Sequence, residues 1–180
     1  KSIIIGGDIT IRKERMAIAS TKGMNDWDES TVLTANITSM IEMEKVKGTG
    51  WNTSTHISCF SAEEAGRESA ESAIRTRGGD RISSGTYDVI FGKQPVTDLF
   101  ANIVIPALSL SSINTSDTPF LGKLGQKISS ELLTVYDDGT IKGAIGSKKI
   151  SCEGIPTGRT DLSHNGFLVG FLANNYLSKK

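Results

Sequence analysis

The sequence predicts an α+β fold, built mostly of antiparallel sheets with two main helices at about residues 61–77 and 97–109. Three observations support this class. Apolar and polar residues alternate within the first sixty residues, small residues recur at helical spacing after Ser61, and Gly-rich turns separate short apolar runs from Ser109 onward. Together they favour a sheet, a helix packed on it, and a second β-rich part.

The first sixty residues are predicted to form an antiparallel meander. Gly-Gly-Asp at 6–8 is a turn signal, and the strand that follows it places Ile9 and Ile11 on one face. Successive side chains of a strand point to opposite faces, so alternating apolar residues predict one buried and one wet face. In the next strand the apolar positions are Leu33, Ala35, Ile37, Ile41 and Met43.

The segment from Ser61 to Arg77 carries the start and stop signals of a helix. Ser61 and Glu64 have capping-box spacing, in which the hydroxyl and the carboxylate each satisfy a free backbone N–H. Acidic residues occupy the early turns, basic residues occupy the last turn, and two glycines follow. The inner stripe is small, which lets the helix lie close to a sheet: Ala62, Ala65, Gly66, Ser69 and Ala73.

The second half is predicted to begin with a short buried strand at 87–91, a turn at 92–96 and an apolar helix that Pro106 ends or kinks. Further on, Asp138-Gly139 and Asn165-Gly166 are two-residue turn signals, because both pairs tolerate positive φ. The last apolar run, 167–172, is apolar on both faces and is predicted to be a buried strand.

Composition narrows the class of protein. Lys and Arg together number 20, as do Asp and Glu, so the net charge is near zero and direct nucleic-acid binding is not expected. No apolar run is long enough to span a membrane, and no signal-peptide pattern is present. Two cysteines do not make a disulfide framework, which favours a cytoplasmic protein.

Candidate catalytic chemistry concentrates in residues 151–166, which contain Cys152 and His164. A Cys–His pair needs a thiolate beside a helix N-terminus or a cation, whereas the pattern places Cys152 in a strand. We therefore expect a buried structural thiol and a turn histidine. The chain has two histidines and two cysteines without metal-ligand spacing, so no metal site is predicted from this chain alone.

Four short motifs resemble the TldD/PmbA family, known as peptide-maturation proteases and, by older naming, as modulators of DNA gyrase. Their order and spacing, rather than any single motif, carry the resemblance. They are a Leu-Gly turn, an Asp-Asp-Gly turn, an acidic-Gly-x-x-Thr-x-Arg stretch and an Asn-Gly hairpin: Leu124 and Gly125; Asp137, Asp138 and Gly139; Glu153, Gly154, Thr157 and Arg159; Asn165 and Gly166.

The resemblance divides the chain and assigns it a role. It implies that residues 1–84 are the end of the family's N-terminal part, that 85–180 begin its C-terminal part, and that the chain is a fragment or shortened member. The TldD branch carries His-Glu-x-x-x-His in the helix after the strand at 87–91, but here Asp98 is the sole ionisable residue of that helix. The chain therefore resembles the PmbA branch, which implies that a TldD-like partner subunit supplies any zinc.

Two functions stay open at this point. The first is a subunit or fragment of a cytoplasmic TldD/PmbA-type protease that contributes scaffold and a peptide cleft, as a dimer with a TldD-like chain or with itself. The second is a non-enzymatic binding module acting on a DNA gyrase-related partner. In either case we expect Arg159 to fix adjacent turns by a charge-assisted hydrogen bond to Glu153 or to one of Asp137 and Asp138. The residues of the last three motifs are the candidates for structural or peptide-contact roles.

Overall fold

The structure is a computed structural model that describes residues 3–179, without the side chains of Ile4 and Ile5. It contains two three-stranded antiparallel sheets and several helices, which confirms the α+β class. The chain divides into two compact units: the residues up to Asp88 with Lys142–Ser147, and Val89–Ile141 with the residues from Lys148 onward. The division into two family parts at residue 84 stays a prediction, and residues 1, 2 and 180 of those parts lie outside the described residues.

The sheet of the first unit is the predicted meander. Its strands are β1 (Ile3–Ala19), β2 (Asn25–Ile41) and β3 (Val46–Ser54), in the order β1-β2-β3. The alternation predicted for β2 is correct, since Leu33, Ala35 and Ile41 are buried on one face. Met43 was predicted to continue this buried face, and that prediction is wrong. Met43 is 96% exposed, because the chain leaves the strand after Ile41 and turns back.

Helix α1 (Ala62–Arg75) lies very close to β3. It begins as predicted, with the Ser61 hydroxyl accepting a 3.1 Å hydrogen bond from the Glu64 backbone N–H. A Cβ atom built on Gly50 would lie 1.9 Å from the Ala65 carbonyl oxygen, and one on Gly48 would lie 2.1 Å from the Ala73 nitrogen. The helix stripe buried there is Ala65, Ser69 and Ala73, so small residues on both elements allow the contact.

Residues 87–91 are not the predicted buried strand. The segment has no regular structure, and Ile90 is fully exposed. A strand needs a hydrogen-bonded neighbour, and no described strand pairs with these residues. Apolar composition alone therefore gave the wrong structure.

The helix that follows starts earlier than predicted and is irregular. It comprises α2 (Lys93–Leu99), a π-helical segment (Phe100–Val104) and α3 (Ile105–Ala107). Pro95 lies in the first turn of α2 and is compatible with the helix there, because backbone N–H groups of the first turn have no hydrogen-bond partner within the helix. The π segment precedes Pro106, whose missing N–H interrupts the regular hydrogen-bond ladder, and the helix ends one residue after this proline, at Ala107.

The second sheet has the order β4-β5-β6, with β4 (Val135–Asp138), β5 (Arg159–His164) and β6 (Phe167–Leu168). Its core is a cluster of Leu108, Leu162 and Leu168, and Leu108 lies just before the short helix α4 (Leu110–Asn114). The buried strand predicted at 167–172 is wrong beyond Leu168. The N–H groups of Val169 and Gly170 both donate to the Leu162 carbonyl, which ends the regular ladder.

One of the two predicted turns joins neighbouring strands directly. Asn165 and Gly166 connect β5 to β6 with φ of 48° and 81°, the two positive values that an Asn-Gly hairpin turn requires. Asp138 and Gly139 also turn, but the connection from β4 to β5 runs through residues 139–158. The Asp138 carboxylate accepts hydrogen bonds there from the backbone and hydroxyl of Thr140, at 2.9 and 2.6 Å.

Candidate functional site

Four polar side chains of β4 and β5 share one exposed face, which we call the Arg159 patch: Tyr136, Asp138, Arg159 and Asp161. Tyr136 lies opposite Asp161 in the register, and Asp138 lies opposite Arg159. Direct partners in an antiparallel pair point to the same face, as do residues two apart on one strand. The strand register therefore brings these four groups together.

Arg159 pairs with Asp161, not with Glu153, Asp137 or Asp138 as expected. Its Nε and Nη2 atoms donate to one carboxylate oxygen of Asp161 at 2.9 and 2.8 Å. The guanidinium also lies 3.9 Å from the centre of the Tyr136 ring, in the geometry of a cation–π contact. The hydrogen bond to Asp161 raises the pKa of Arg159 above its ordinary value.

Asp138 keeps a negative charge at the edge of this patch. The hydrogen bonds from the Thr140 hydroxyl and backbone N–H lower the pKa of its carboxyl group, and the positive charge of Arg159 lowers it further. Both causes stabilise the ionised form. The patch therefore carries one guanidinium between two carboxylates, so the positive charge of Arg159 is compensated and one negative charge is left over.

Gly139 and Thr157 hold the ends of the β4–β5 connection together. A Cβ on Gly139 would lie 2.7 Å from the Thr157 Cβ, so this position requires glycine for close approach. The Thr157 hydroxyl donates to the Lys148 carbonyl, and the Gly139 N–H donates to the Gly158 carbonyl at 3.2 Å. These contacts hold the two ends of the connection close to each other.

Glu153 and Gly154 belong to a separate tight loop at 151–155. The Ser151 hydroxyl accepts from the backbone N–H groups of Glu153 and Ile155, at 3.2 and 3.3 Å. Gly154 has a φ of 73°, which favours glycine. The Glu153 carboxylate accepts a 3.1 Å hydrogen bond from the Asn175 backbone N–H, so this side chain fixes the loop to the C-terminal segment.

Asn165 and Gly166 lie at the far end of β5 from Arg159. The Asn165 N–H donates to the Thr134 hydroxyl, and the Gly166 N–H donates to the Leu133 carbonyl. Six residues of strand at about 3.3 Å each separate the two ends by roughly 20 Å. The predicted site residues described above thus form four groups rather than one centre: Asp138 with Arg159, Gly139 with Thr157, Glu153 with Gly154, and Asn165 with Gly166.

A cleft of about 550 Å³ opens beside the Glu153 loop in the second unit. Three stretches of the chain line it, around residues 109–111, 151–153 and 172–177. We call it the Cys152 cleft; its lining includes Ser109, Ser151, Cys152, Glu153, Leu172 and Asn174. Of this lining the sequence singled out Cys152 and Glu153, because nothing in the spacing of three distant stretches indicates that they meet.

Cys152 is exposed on the surface of this cleft, which corrects the prediction of a buried thiol in a strand. The residue lies in the turn that Ser151 and Gly154 form, between a β-bridge at Ile150 and the start of β5. The turn hydrogen bonds of Ser151 take the place of the expected strand ladder. His164, expected in a turn, is the last residue of β5, opposite Phe167.

A metal centre does not fit the described residues. Within residues 3–179, no three His, Cys, Asp or Glu side chains come together in a group that could hold a metal ion. His56 belongs to the first unit and His164 to the second, and neither lies in such a group. No step of a reaction is therefore assigned to a metal on these residues.

Comparison with known proteins identifies the family. A family model described as the PmbA/TldA metallopeptidase C-terminal domain matches residues 84–180, slightly more than half of the chain. The chain therefore belongs to the TldD/PmbA family, as its motifs indicated.

Relatives align with most of the chain. An uncharacterised protein of Methanocaldococcus jannaschii is 26% identical over 95% of this chain and 40% of its own length. A protein named metalloprotease from Methanothermobacter thermautotrophicus is 35% identical over 61% of this chain and 24% of its own length. The chain thus spans two fifths or less of these two relatives.

Solved structures share the fold. One, from Thermotoga maritima, is described as a candidate modulator of a DNA gyrase; its TM-score is 0.87 at 23% identity, covering 94% of this chain and 40% of that one. TldE from Thermococcus kodakarensis has a TM-score of 0.81 at 21% identity, covering 99% of this chain and 41% of that one. At this identity the likeness establishes the fold alone.

Across residues 3–179, the helices are too short or too polar to cross a membrane.

Proposed function

We propose that this chain contributes a peptide-binding surface and its scaffold to a TldD/PmbA-type protease, and that the metal ligands lie outside the described residues. The observation that carries this proposal is a mismatch. The chain belongs to a metallopeptidase family, yet residues 3–179 bring no metal-ligand group together while they do form an open cleft. A role in binding substrate, with the metal held by another subunit, accounts for the family membership and for the cleft.

The Cys152 cleft suits an extended peptide. It has a volume of about 550 Å³ and is widely open to solvent rather than enclosed. Leucine side chains of the C-terminal segment offer apolar contact, and the hydroxyls of Ser109, Ser111 and Ser151 offer hydrogen bonds. Extended peptides bind through main-chain hydrogen bonds and side-chain contacts, and hydroxyl and leucine groups of this kind are suited to each in turn.

The motif residues support this surface rather than react. Glu153 fixes the cleft loop to Asn175, and Gly154 supplies the positive φ of that loop. Thr157 and Gly139 join the ends of the β4–β5 connection. The exposed groups of the Arg159 patch are the remaining candidates for contact with peptide or partner.

The proposal assigns the chain to the PmbA-like branch, in a cytoplasmic protease that matures or degrades peptides. Zinc and the catalytic base would come from a TldD-like subunit. The similarity in fold to TldE supports a subunit of this kind.

A second candidate function is a non-enzymatic binding module. It is favoured by the description of the Thermotoga maritima neighbour as a candidate modulator of a DNA gyrase. The two functions differ in what occupies the Cys152 cleft, since only the first requires it to bind short unstructured peptides.

Peptide binding can be tested with two cysteine variants. Cys152→Trp fills the cleft, whereas Cys59→Trp adds the same bulk at an exposed position in the first unit. With fluorescently labelled unstructured peptides, we expect fluorescence anisotropy to show binding by the wild type and by Cys59→Trp, and at least about tenfold weaker binding by Cys152→Trp. Equal binding by the two variants would exclude the cleft as the peptide site, and no binding by the wild type would favour the second function.

A further inference from the structure

Glu153 supplies the only carboxylate in the described lining of the Cys152 cleft. The other lining side chains are serines, leucines, an alanine, an asparagine and the Cys152 thiol. Glu153 is exposed, and among residues 3–179 its carboxylate forms no ion pair with a lysine, an arginine or a histidine. A negative charge therefore stands in a largely apolar cleft without a cation beside it.

The Glu153 carboxylate is held in place by one of its two oxygens. The Oε2 atom accepts the 3.1 Å hydrogen bond from the Asn175 N–H, while Oε1 accepts no hydrogen bond within residues 3–179. The loop that carries Glu153 is closed by two backbone hydrogen bonds, from Gly154 to the Ser151 carbonyl at 2.9 Å and from Ser151 to the Ile155 carbonyl at 2.8 Å. The side chain is thus fixed before a ligand arrives, so little of its freedom is lost when Oε1 binds one.

The apolar walls of the cleft are also fixed by hydrogen bonds. The Leu172 N–H donates to the Leu108 carbonyl at 2.9 Å, and the Leu172 carbonyl accepts from the Leu110 N–H at 2.8 Å. The Leu177 N–H donates to the side-chain oxygen of Asn174 at 2.8 Å. Leu172 and Leu177 are half-buried, so each keeps apolar area that a ligand can cover. The cleft therefore combines two held leucines with one held carboxylate.

We propose that the Cys152 cleft binds a lysine side chain of an extended peptide, with the lysine ammonium on Oε1 of Glu153. This inference rests on the proposed function and names the side chain that the peptide surface selects. Lysine lays its aliphatic stem along apolar surface while its charged end reaches a polar partner, which matches leucines and a carboxylate in one cleft. An ammonium needs one carboxylate oxygen, whereas the planar fork of arginine pairs best with two, and Asn175 already occupies Oε2.

Peptides that differ at one position test the selection. Flexible Gly/Ser-rich peptides with a fluorescent label and both ends blocked carry lysine, norleucine or arginine at the centre. Norleucine keeps the apolar stem and removes the charge. A fourth peptide has norleucine at the centre and a free amino terminus, so it offers an ammonium without a lysine side chain. Fluorescence anisotropy with the full chain measures each dissociation constant.

Two glutamate variants test the carboxylate. Glu153→Gln removes the charge from the cleft but keeps a side-chain oxygen for the Asn175 N–H. Glu131→Gln makes the same change in net charge at an exposed position of the second unit that does not line the cleft. Circular dichroism verifies that each variant is folded.

We expect the wild type to bind the lysine peptide about five- to tenfold more tightly than either norleucine peptide, and no less tightly than the arginine peptide. Glu131→Gln should keep that preference, and Glu153→Gln should bind the lysine and blocked norleucine peptides equally. The wild-type preference should shrink as the salt concentration rises, which tests the charge even if Glu153→Gln does not fold.

Equal binding of the lysine and norleucine peptides by the wild type would overturn this proposal; if Cys152→Trp still weakens both, the proposed function stands. A lysine preference that Glu153→Gln retains, or that salt leaves unchanged, would also overturn it. So would tighter binding of the arginine peptide, or of the peptide with the free amino terminus, than of the lysine peptide. Failure of every peptide to bind the wild type would refute the proposed function and this inference with it.

Discussion

Gly50 is the position where a single methyl group should most strongly separate β3 from α1. The Cβ of alanine at this position would lie 1.9 Å from the Ala65 carbonyl oxygen and 2.5 Å from the Ser69 nitrogen. Both atoms belong to the helix backbone, so no side-chain rotation relieves the overlap. Contacts between carbon and these atoms are normally well above 3 Å, so the helix must move by about 1 Å or more.

The cost follows from what that movement disrupts. Overpacking in a close contact costs about 1–3 kcal/mol, and occasionally more when backbone rather than a flexible side chain must shift. Displacement of α1 would also lengthen the buried 2.7 Å hydrogen bond between Ser39 and Ser69. We therefore expect Gly50→Ala to lower the free energy of unfolding by about 3 kcal/mol, which is roughly 6–12 °C in Tm for a chain of this size.

Gly66→Ala is the matched control on the helix side. A Cβ on Gly66 meets no atom within 4 Å, and alanine is the better helix former by about 0.5–1 kcal/mol. The same chemical change should therefore raise Tm at residue 66 and lower it at residue 50. Thermal unfolding followed by far-UV circular dichroism gives both values. Equal, small changes in the two variants would refute the close contact between α1 and β3.

Three further variants test the polar groups. Ser69→Ala should lower the free energy of unfolding, measured by urea denaturation, by about 1–3 kcal/mol. The Ser69 hydroxyl donates to the Gly66 carbonyl and accepts from Ser39, so its removal leaves the buried Ser39 hydroxyl without an acceptor. The double variant Ser39→Ala/Ser69→Ala should recover part of that loss, because neither hydroxyl is then left unpaired. Ser163→Ala should be neutral or stabilising, because that hydroxyl is buried and has no hydrogen-bond partner among residues 3–179. A loss like that of Ser69→Ala would contradict this. Asp138→Asn should have a lower Tm than the wild type at pH values above 3.8, the ordinary pKa of the carboxyl group. The difference in Tm should vanish as pH falls through the lowered pKa of the folded state. A difference that persists in acid would show that the charge of Asp138 is not its cause.

The elements that the sequence predicted correctly depend on local signals. The alternation in β2, the Ser61 cap of α1 and the positive φ of Asn165 and Gly166 each involve residues close together in the chain. The physical cause of each can therefore be recognised from a short segment of the sequence. The strand expected at 87–91 failed for the opposite reason, since pairing depends on a partner that the window does not contain.

The candidate site was predicted less well because its contacts depend on register. The partner of Arg159 is Asp161, and this pairing is evident only once residue 159 is known to begin a strand. The exposure of Cys152 depends on the turn made by the Ser151 hydroxyl. The cleft depends on Ser109 and Leu172, which the sequence separates from Cys152.

Protection of Cys152 from alkylation tests the central claim most directly. The two free cysteines are both exposed, so Cys59 in the first unit is an internal control for Cys152 in the cleft. The chain is treated with iodoacetamide in the presence of a metal chelator, with and without unstructured peptides, and modification at each cysteine is followed by mass spectrometry. If the chain supplies a peptide surface independently of metal, peptide should slow modification of Cys152 severalfold and leave Cys59 unchanged. Equal rates at Cys152 with and without peptide would contradict the account, as would protection that the chelator abolishes.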